Sequence, residues 1–403
     1  MEFKKSGRLT RVGYEIRGPM LEHADALETA GNPVMRLNTG DPAMFGLRAA
    51  DNVLQDVIAH LPESQGYSAP QGIVPARLSV ADYYARRGVP DVTADDVYLG
   101  NGVSELICMA TQALLDDGDE VLIPAPDFPL WTAATTLASG KAVHYLCDEE
   151  SDWYPDLADM TAKVTDRTRA VVLINPNNPT GAVYPRDVLE AVLDLARRHH
   201  LIVFADEIYD RIVYDDALHH CAAAIAPDVL CLTFSGLSKA YRLAGLRSGW
   251  LAISGPKQHA KDYLAGLSLL AAVRLCPNVP AQHAIRIALD ADHSIDDLVL
   301  PAGRLAEQRD LAWELLNAIP GVSCVKPKGA LYAFPRLEPT VYPVEDDGQL
   351  AFDLLREEKV LVVRGTGFNW PRPDHFRLLT LPGADDLTTA ITRIGHFLGR
   401  YHK

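Results

Sequence analysis

Positive charge is scarce in this sequence. The 403 residues include 38 lysines and arginines against 53 aspartates and glutamates, so the formal net charge is −15 at pH 7. A chain this acidic has no general attraction for nucleic acid or anionic lipid, and it contains no apolar run approaching a membrane-spanning length. We therefore expect neither nucleic acid nor a membrane as a partner, and an anionic ligand would have to be held by a few arginines or helix ends.

Cysteines and metal-ligand patterns are also sparse. The six cysteines lie far apart with no C-x-x-C pair, mostly among aliphatic residues, which is typical of free thiols in a reducing compartment. Residues 1–20 carry charges throughout and have no apolar signal-peptide core. The histidine pairs at 199–200 and 219–220 lack an i,i+4 histidine partner. The sequence thus predicts a cytoplasmic protein without a metal site.

Length and hydrophobic periodicity predict a chain of more than one domain. Residues 1–45 are broken by glycine and proline, and we interpret them as an N-terminal arm and part of a small domain. In residues 46–290, short apolar runs alternate with helical patterns, which favours a large α/β domain with a mostly parallel sheet covered by helices. Residues 291–403 combine long helices with short strands, which predicts a smaller α+β domain.

The segment Ser235–Trp250 contains the most informative motif. It follows a predicted strand, places Lys239 in a loop of small residues, and has Arg247 eight positions later. A lysine at a strand end among small residues can lose part of its hydration, which makes its amine a usable Schiff-base nucleophile. For so short a motif, a solvated surface lysine is the alternative.

Three other predicted strand ends carry polar groups. The two prolines and the glycine of Asn175–Gly181 fix a rigid loop that presents Asn178. Asp206 and Tyr209 follow another strand, at the ligand-binding edge of an open α/β sheet. Asn101–Glu105 joins a strand to a helix, where backbone amides can hold phosphate. A plain turn or a helix N-cap is the alternative at such positions, and no dinucleotide- or ATP-binding glycine pattern is present.

These four stretches together resemble class I pyridoxal-phosphate aminotransferases of fold type I, in order and spacing over nearly the whole chain. The sequence of residues 101–146 and 278–328 resembles, more narrowly, that of the bacterial glutamate–pyruvate (alanine) aminotransferases. The resemblance implies a ping-pong transfer of an amino group between L-alanine and 2-oxoglutarate, which gives pyruvate and L-glutamate. It implies pyridoxal 5'-phosphate as cofactor, and amino acids and 2-oxo acids as small-molecule partners.

The resemblance also implies roles at the cofactor. Lys239 would hold it covalently and then carry a proton, Asp206 would pair with the ring nitrogen, and Tyr209 would complete the catalytic set. Tyr209 and Asn178 would hydrogen-bond the phenolate oxygen of the ring, on which Phe128 would stack. The phosphate would be bound by Gly102, Val103, Ser104, Ser238 and Arg247, and by Tyr67 of a neighbouring subunit. The last contact implies a homodimer with shared active sites.

For the substrate, the resemblance implies that Arg377 grips the α-carboxylate, with a backbone amide from Gly40 and the side chain of Asn178 beside it. The distal carboxylate of glutamate needs a cation that does not penalise alanine, so a mobile arginine suits better than a fixed buried one. We expect Arg17, with Tyr14 beside it, to fill this role. A surface arginine in a flexible arm is the alternative.

Two positions depart from the common family pattern. Gly236 stands where many relatives have a serine, which leaves Ser235 or Ser238 to supply a phosphate hydroxyl. Phe128 stands where tyrosine or tryptophan is common, which removes one hydrogen bond to the substrate. A carbon–sulfur β-lyase and an aminotransferase of different amino-acid preference remain as functional alternatives. A transcription-factor effector domain is disfavoured because no helix-turn-helix segment is present.

Overall fold

A computed structural model describes residues 2–14, 16 and 18–401 of the chain. Within this part, the strands β1 to β15 cover, in chain order, Met35–Arg36, Val97–Asn101, Glu120–Ala125, Lys141–Asp148, Tyr154–Pro155, Thr168–Ile174, Ile202–Asp206, Cys231–Gly236, Ser248–Ser254, Val322–Ser323, Tyr332–Ala333, Arg336–Leu337, Val360–Leu361, Val363–Arg364 and Phe376–Leu379. The helices α1 to α14 cover Met20–Thr29, Asp51–Ala59, Val74–Arg86, Val103–Leu114, Leu130–Leu137, Leu157–Lys163, Arg186–Arg198, Ala222–Ile225, Lys261–Val273, Val279–Ala291, Asp296–Val299, Arg304–Asn317, Asp347–Glu358 and Ala384–Tyr401.

The large sheet has eight strands in the order β2-β9-β8-β7-β6-β3-β4-β5. The central pairs β8·β7, β7·β6, β6·β3 and β3·β4 are parallel, while β9 runs antiparallel to both of its neighbours. Consecutive residues of β3 pack into different cores: Val121 and Ile123 on one side, Leu122 on the other. Both faces of the sheet are therefore buried, and the predicted mostly parallel α/β fold is confirmed.

The direction of the strands decides where the polar loops meet. Because β3, β6, β7 and β8 are parallel, their carboxyl ends lie on one edge of the sheet. The loops that begin at Pro126, Asn175, Glu207 and Leu237 leave from this edge. Strand β9 runs the other way, so its first residue, Ser248, lies there too.

The N-terminal and C-terminal parts of the chain pack together. Strand β1, at Met35–Arg36, pairs in parallel with β13, and Leu37 lies in the core formed by α12, α13 and α14. The strands β11, β15 and β14 form a three-stranded antiparallel sheet in the same region. Domain limits at residues 45 and 290 remain a prediction, which this pairing supports.

All six cysteines are free, and four of them are buried. Among the residues that the structure describes, no group of three or more His, Cys, Asp or Glu side chains could hold a metal ion. No helix in residues 18–401 is long and apolar enough to cross a membrane.

Three glycines stand side by side across the strands nearest the phosphate loop predicted from the sequence. Gly236 of β8 faces Gly249 of β9, which faces Gly100 of β2. A Cβ atom on Gly249 would lie 2.8 Å from the backbone nitrogen of Val103, the first residue of α4. The missing side chain at Gly249 therefore lets the N-terminus of α4 approach the sheet edge closely.

Replacing Gly249 with alanine should lower the free energy of unfolding by about 1–3 kcal/mol, because the added methyl group must displace the backbone of α4. Urea unfolding of the wild type and the variant measures this difference. Gly245→Ala is the matched control, since no atom lies within 4 Å of a Cβ added there. Equal stability of Gly249→Ala and the wild type would contradict the close-approach explanation.

Candidate active site

A cavity of about 530 Å³ opens at the carboxyl ends of the parallel strands. Its wall contains most of the site residues predicted from the sequence, namely Tyr14, Gly40, Val103, Ser104, Phe128, Asn178, Asp206, Tyr209, Ser238, Lys239, Arg247 and Arg377. A larger cavity of about 880 Å³ is lined by Thr168, Ile202 and Leu230, at the amino ends of the same strands, and contains none of these residues. We therefore place the candidate active site in the smaller cavity.

Lys239 lies in the turn after β8 and is half-buried. Its Nζ atom donates a hydrogen bond of 2.5 Å to the carbonyl oxygen of Gly40. The lysine is also close enough to Asp206 for its charge to favour the ionised form of that carboxyl group. The amine is thus held at the cavity wall between the backbone of Gly40 and Asp206 at the end of β7.

Asp206 is the last residue of β7 and is only 3% exposed. The indole Nε1 of Trp131 donates to its Oδ2 over 3.0 Å, and the backbone nitrogen of Ile208 donates to its Oδ1 over 3.4 Å. Burial nevertheless raises the pKa of Asp206 to about 6. A fixed, buried carboxylate of this kind is suited to hold a cationic group such as a protonated ring nitrogen.

Arg377, on β15, is 1% exposed and has an unusual set of partners. Its Nη1 donates to Oδ1 of Asn178 over 2.9 Å, and its Nη2 donates to the carbonyl oxygen of Asn38. The guanidinium stacks between the rings of Tyr332 and Phe368, at 4.3 and 4.7 Å from their centres. Its Nε has no partner, and no carboxylate of residues 2–14, 16 or 18–401 lies within ion-pair distance. The site therefore has a buried cation that fits a carboxylate ligand.

Tyr209 and Tyr332 form a pair beside this arginine. Their hydroxyl oxygens are 2.6 Å apart, and both side chains are buried. Burial raises the pKa of the Tyr209 hydroxyl well above its usual value, so that hydroxyl keeps its proton.

The phosphate loop predicted from the sequence is formed by the N-terminus of α4 and by Arg247. Gly102 has φ of 80°, and a Cβ atom there would lie 2.1 Å from Nη2 of Arg247. No side chain caps α4, so its first backbone amides are available to an anion. Arg247 is exposed, and its Nη1 donates to Oγ of Ser238 over 3.4 Å. These groups fit a phosphate.

The structure also distinguishes the two serines proposed for the missing hydroxyl. Ser238 lines the cavity beside Arg247, whereas Ser235 is buried and donates to the carbonyl oxygen of Glu207 over 3.4 Å. A side chain at Gly236 would bring its Cβ to 2.8 Å from the carbonyl oxygen of Ser248, so a serine there needs a backbone shift. Ser238 is therefore the better placed of the two.

Phe128 lies half-buried on the loop after β3, edge-on to Tyr14 at 6.3 Å. The preceding residue, Asp127, is fully buried and accepts hydrogen bonds from Thr132 (2.8 Å) and from Nδ2 of Asn369 (2.7 Å). Burial raises the pKa of Asp127 to about 7. Asp127 thus connects the Phe128 loop to the C-terminal part of the chain.

Three residues predicted for the site are not placed in the lining of this cavity: Gly102, which directly precedes the lining residue Val103, Tyr67 and Arg17. Tyr67 is 82% exposed and is absent from the cavity wall. Arg17 lies outside the described residues, although its neighbours Tyr14 and Ile16 both line the cavity.

Sequence reasoning missed several residues that hold the site together: Asn38, Asp127, Trp131, Tyr332 and Phe368. None of them stands in a motif, and each acts through a partner far away in the chain. Tyr332 had one indirect signal, because the glycine at position 40 implies a close neighbour. A Cβ on Gly40 would lie 2.3 Å from the Tyr332 hydroxyl.

The fold and this cavity are those of an aminotransferase of the kind that the sequence resembles. Residues 32–394 match the family described as Aminotransferase class I and II, and the chain belongs to this family. The predicted family, fold type and transaminase activity are therefore confirmed.

The relatives of the chain are close and match nearly its full length. It is 61% identical to the alanine aminotransferase of Mycobacterium tuberculosis, with 100% of this chain and 94% of that protein covered. It is 57% identical to the glutamate-pyruvate aminotransferase AlaA of Escherichia coli, with 99% of both covered. An Escherichia coli aminotransferase structure superimposes with a TM-score of 0.99 at 57% identity over 100% of both chains. An alanine aminotransferase structure from Pyrococcus furiosus gives 0.91 at 35% identity, over 98% of this chain and 100% of that one.

The raised pKa of Asp206 predicts a pH-dependent stability in the absence of cofactor. A carboxyl group whose pKa is raised by folding stabilises the folded state at low pH, and this contribution is lost as the pH rises through the folded value. The free energy of unfolding of the wild type, minus that of Asp206→Asn, should therefore fall by roughly 1.4 kcal/mol per pH unit between about pH 4 and about pH 6. Urea unfolding at several pH values measures it.

The exposed Asp166→Asn variant is the matched control for this experiment, because its side chain lies outside the cavity at the surface. The difference between the wild type and Asp166→Asn should be flat over the same interval. A flat difference for Asp206→Asn as well would show that Asp206 is not held in a raised-pKa environment.

Proposed function

We propose that this enzyme transfers the amino group between L-alanine and 2-oxoglutarate, giving pyruvate and L-glutamate, with pyridoxal 5'-phosphate as its cofactor. The names of the close bacterial relatives support the substrates. The observation that carries the proposal is the arrangement in one cavity of Lys239, the buried carboxylate of Asp206 and the buried, unpaired Arg377.

The residues of the cavity fit the proposed cofactor. When bound, pyridoxal phosphate supplies a ring that accepts the electrons released from the substrate carbon. The N-terminus of α4 with Ser238 and Arg247 would hold its phosphate, and Phe128 would cover one face of the ring. Asp206 would hold the proton on the ring nitrogen, and the hydrogen bonds from Trp131 and Ile208 keep that carboxylate oriented.

Lys239 is the group that acts on the substrate. Its amine is a nucleophile when unprotonated, so it would hold the cofactor, and as a free amine it would take the proton from the α-carbon of the substrate and pass it on as a general acid. The bond from Nζ to the Gly40 carbonyl oxygen holds the amine beside the segment whose Asn38 carbonyl accepts a hydrogen bond from Arg377. The same residue can therefore reach both the cofactor and a substrate held by that arginine.

Arg377 positions the substrate through its α-carboxylate. The bonds to Asn178 and to the Asn38 carbonyl, and the two aromatic rings against its faces, leave the guanidinium little freedom. A cation fixed in this way lets the carboxylate bind in one orientation, which fixes the adjacent carbon against Lys239. The substrate carboxylate in turn supplies the negative charge that pairs with the Arg377 guanidinium.

A homodimer is part of the proposal. Exposed apolar side chains are concentrated on α2, the segment between α2 and α3, the start of α3 and the end of α9, at Leu54, Ile58, Leu61, Tyr67, Val74, Leu78, Leu269, Val273 and Leu275. A second copy covering this surface would bury them, and Tyr67 would then face the partner's phosphate site.

The six free thiols support a cytoplasmic location for the proposed enzyme.

Lys239→Ala tests the proposed function. The variant should fold and bind pyridoxal phosphate without a covalent bond, and its turnover of alanine with 2-oxoglutarate should fall on the order of a thousandfold or more. Borohydride reduction followed by peptide mass mapping should place the cofactor on Lys239 in the wild type only. Lys261→Ala, at an exposed position at the start of α9 and outside the cavity, is the control.

Substantial turnover by Lys239→Ala would overturn the assignment. Pyruvate released from cystathionine by the wild type without any 2-oxo acid would instead identify the enzyme as a carbon–sulfur β-lyase. Activity confined to other amino acids would leave the aminotransferase class but remove alanine as the substrate.

The role proposed for Arg17 has its own test. If this arginine binds the distal carboxylate, Arg17→Ala should lower kcat/KM for glutamate by roughly tenfold or more and that for alanine much less. Arg11→Ala, an exposed arginine of the same segment, controls for the loss of one positive charge. Equal losses on both substrates would mean that Arg17 shapes the site without contacting the distal carboxylate.

A further inference from the structure

The Tyr332 hydroxyl has few neighbours with which it can form a hydrogen bond. It lies on β11 in the buried centre of the site, with the ring face against Arg377 and the hydroxyl against the backbone of Gly40. Within residues 2–14, 16 and 18–401, the Tyr209 hydroxyl, 2.6 Å away, is its one hydrogen-bond partner.

The direction of this bond follows from the role proposed for Tyr209, because by distance alone either hydroxyl could be the donor. A tyrosine hydroxyl has one proton to donate. In the proposed function, the Tyr209 proton goes to the phenolate oxygen of the cofactor, in the cavity that both tyrosines line. Tyr209 then has no proton left for Tyr332, so Tyr332 must be the donor of the bond between them.

We propose that Tyr332 is a positioning residue whose hydroxyl donates to Tyr209 and thereby directs the Tyr209 proton towards the phenolate oxygen of the cofactor. This inference rests on the proposed function. A hydroxyl that accepts one hydrogen bond is a stronger donor in the next, so Tyr332 also strengthens the contact that stabilises the negative oxygen.

The ring and the hydroxyl of Tyr332 serve different neighbours. The ring supports Arg377, which grips the substrate, and the hydroxyl supports Tyr209, which faces the cofactor. Gly40 makes room for this arrangement, since a Cβ there would lie 2.3 Å from the Tyr332 hydroxyl oxygen. Tyr332→Phe should therefore affect the cofactor contact and leave carboxylate binding in place.

The test is a pH titration of the visible absorbance of the cofactor-loaded enzyme. In Tyr332→Phe, the midpoint pH of the absorbance change (the transition) should rise by about half a pH unit, because a weaker Tyr209 donor stabilises the negative oxygen of the cofactor less. Tyr209→Phe should move it further, and adding Tyr332→Phe to Tyr209→Phe should have no additional effect. Propionate, which probes Arg377 alone, should bind Tyr332→Phe as tightly as the wild type.

Tyr214→Phe is the matched control, because this buried tyrosine also loses a hydrogen bond, of 2.8 Å to the Ala330 carbonyl, without touching the cavity. Its transition should stay at the wild-type pH. Gly40→Ala tests the same contact in a second way. Its methyl group would displace the Tyr332 hydroxyl, so the midpoint pH of the transition should rise in this variant too.

Two outcomes would overturn the inference while leaving the proposed function intact: an unchanged transition in Tyr332→Phe, or a downward shift, which would mean that Tyr209 donates to Tyr332. Additive shifts in the double variant would likewise exclude action through Tyr209. If the wild type forms no lysine-linked chromophore at all, the proposed function itself fails.

Discussion

The arrangement of this active site depends on a buried guanidinium that has no acidic partner. A charge removed from water is strongly unfavourable unless it is paired or fully hydrogen-bonded. Arg377 is held by one amide oxygen, one backbone carbonyl and two aromatic faces, and its Nε is left without a partner. Burial lowers its pKa, yet an arginine stays protonated in proteins. The folded chain thus maintains a cation whose natural complement is the carboxylate of a ligand.

The acidic groups near the cavity complement this cation without neutralising it. Asp127, Asp206 and Glu207 are buried at the ends of β3 and β7, and burial raises their pKa values to about 7, 6 and 7. Each is held by hydrogen bonds from other parts of the chain and none pairs directly with Arg377. Although the chain carries a formal charge of −15, its cavity brings together a buried guanidinium, an uncapped helix N-terminus beside Arg247 and a buried carboxylate.

The sequence was most informative where local pattern and chemistry coincide. Apolar runs alternating with helical periodicity are characteristic of a mostly parallel sheet, and polar residues directly after such runs must meet at one edge when the strands are parallel. This reasoning placed Asn178, Asp206 and Lys239 at strand ends, and the resemblance to the aminotransferases implied that they share one site. The same reasoning could not choose between Ser235 and Ser238, because that choice depends on side-chain direction.

The sequence by itself determined the elements and the reactive groups, since hydrophobic periodicity and motif spacing are local properties of the chain. Only the tertiary structure decided how those groups are held. Trp131 reaches Asp206 across 75 positions, Tyr332 reaches Tyr209 across 123, and Asn178 reaches Arg377 across 199. No local pattern encodes such contacts, because they join segments of the chain that only the folded structure brings together at the sheet edge. The chemistry of the site was therefore visible in the sequence, and its orientation depended on the fold.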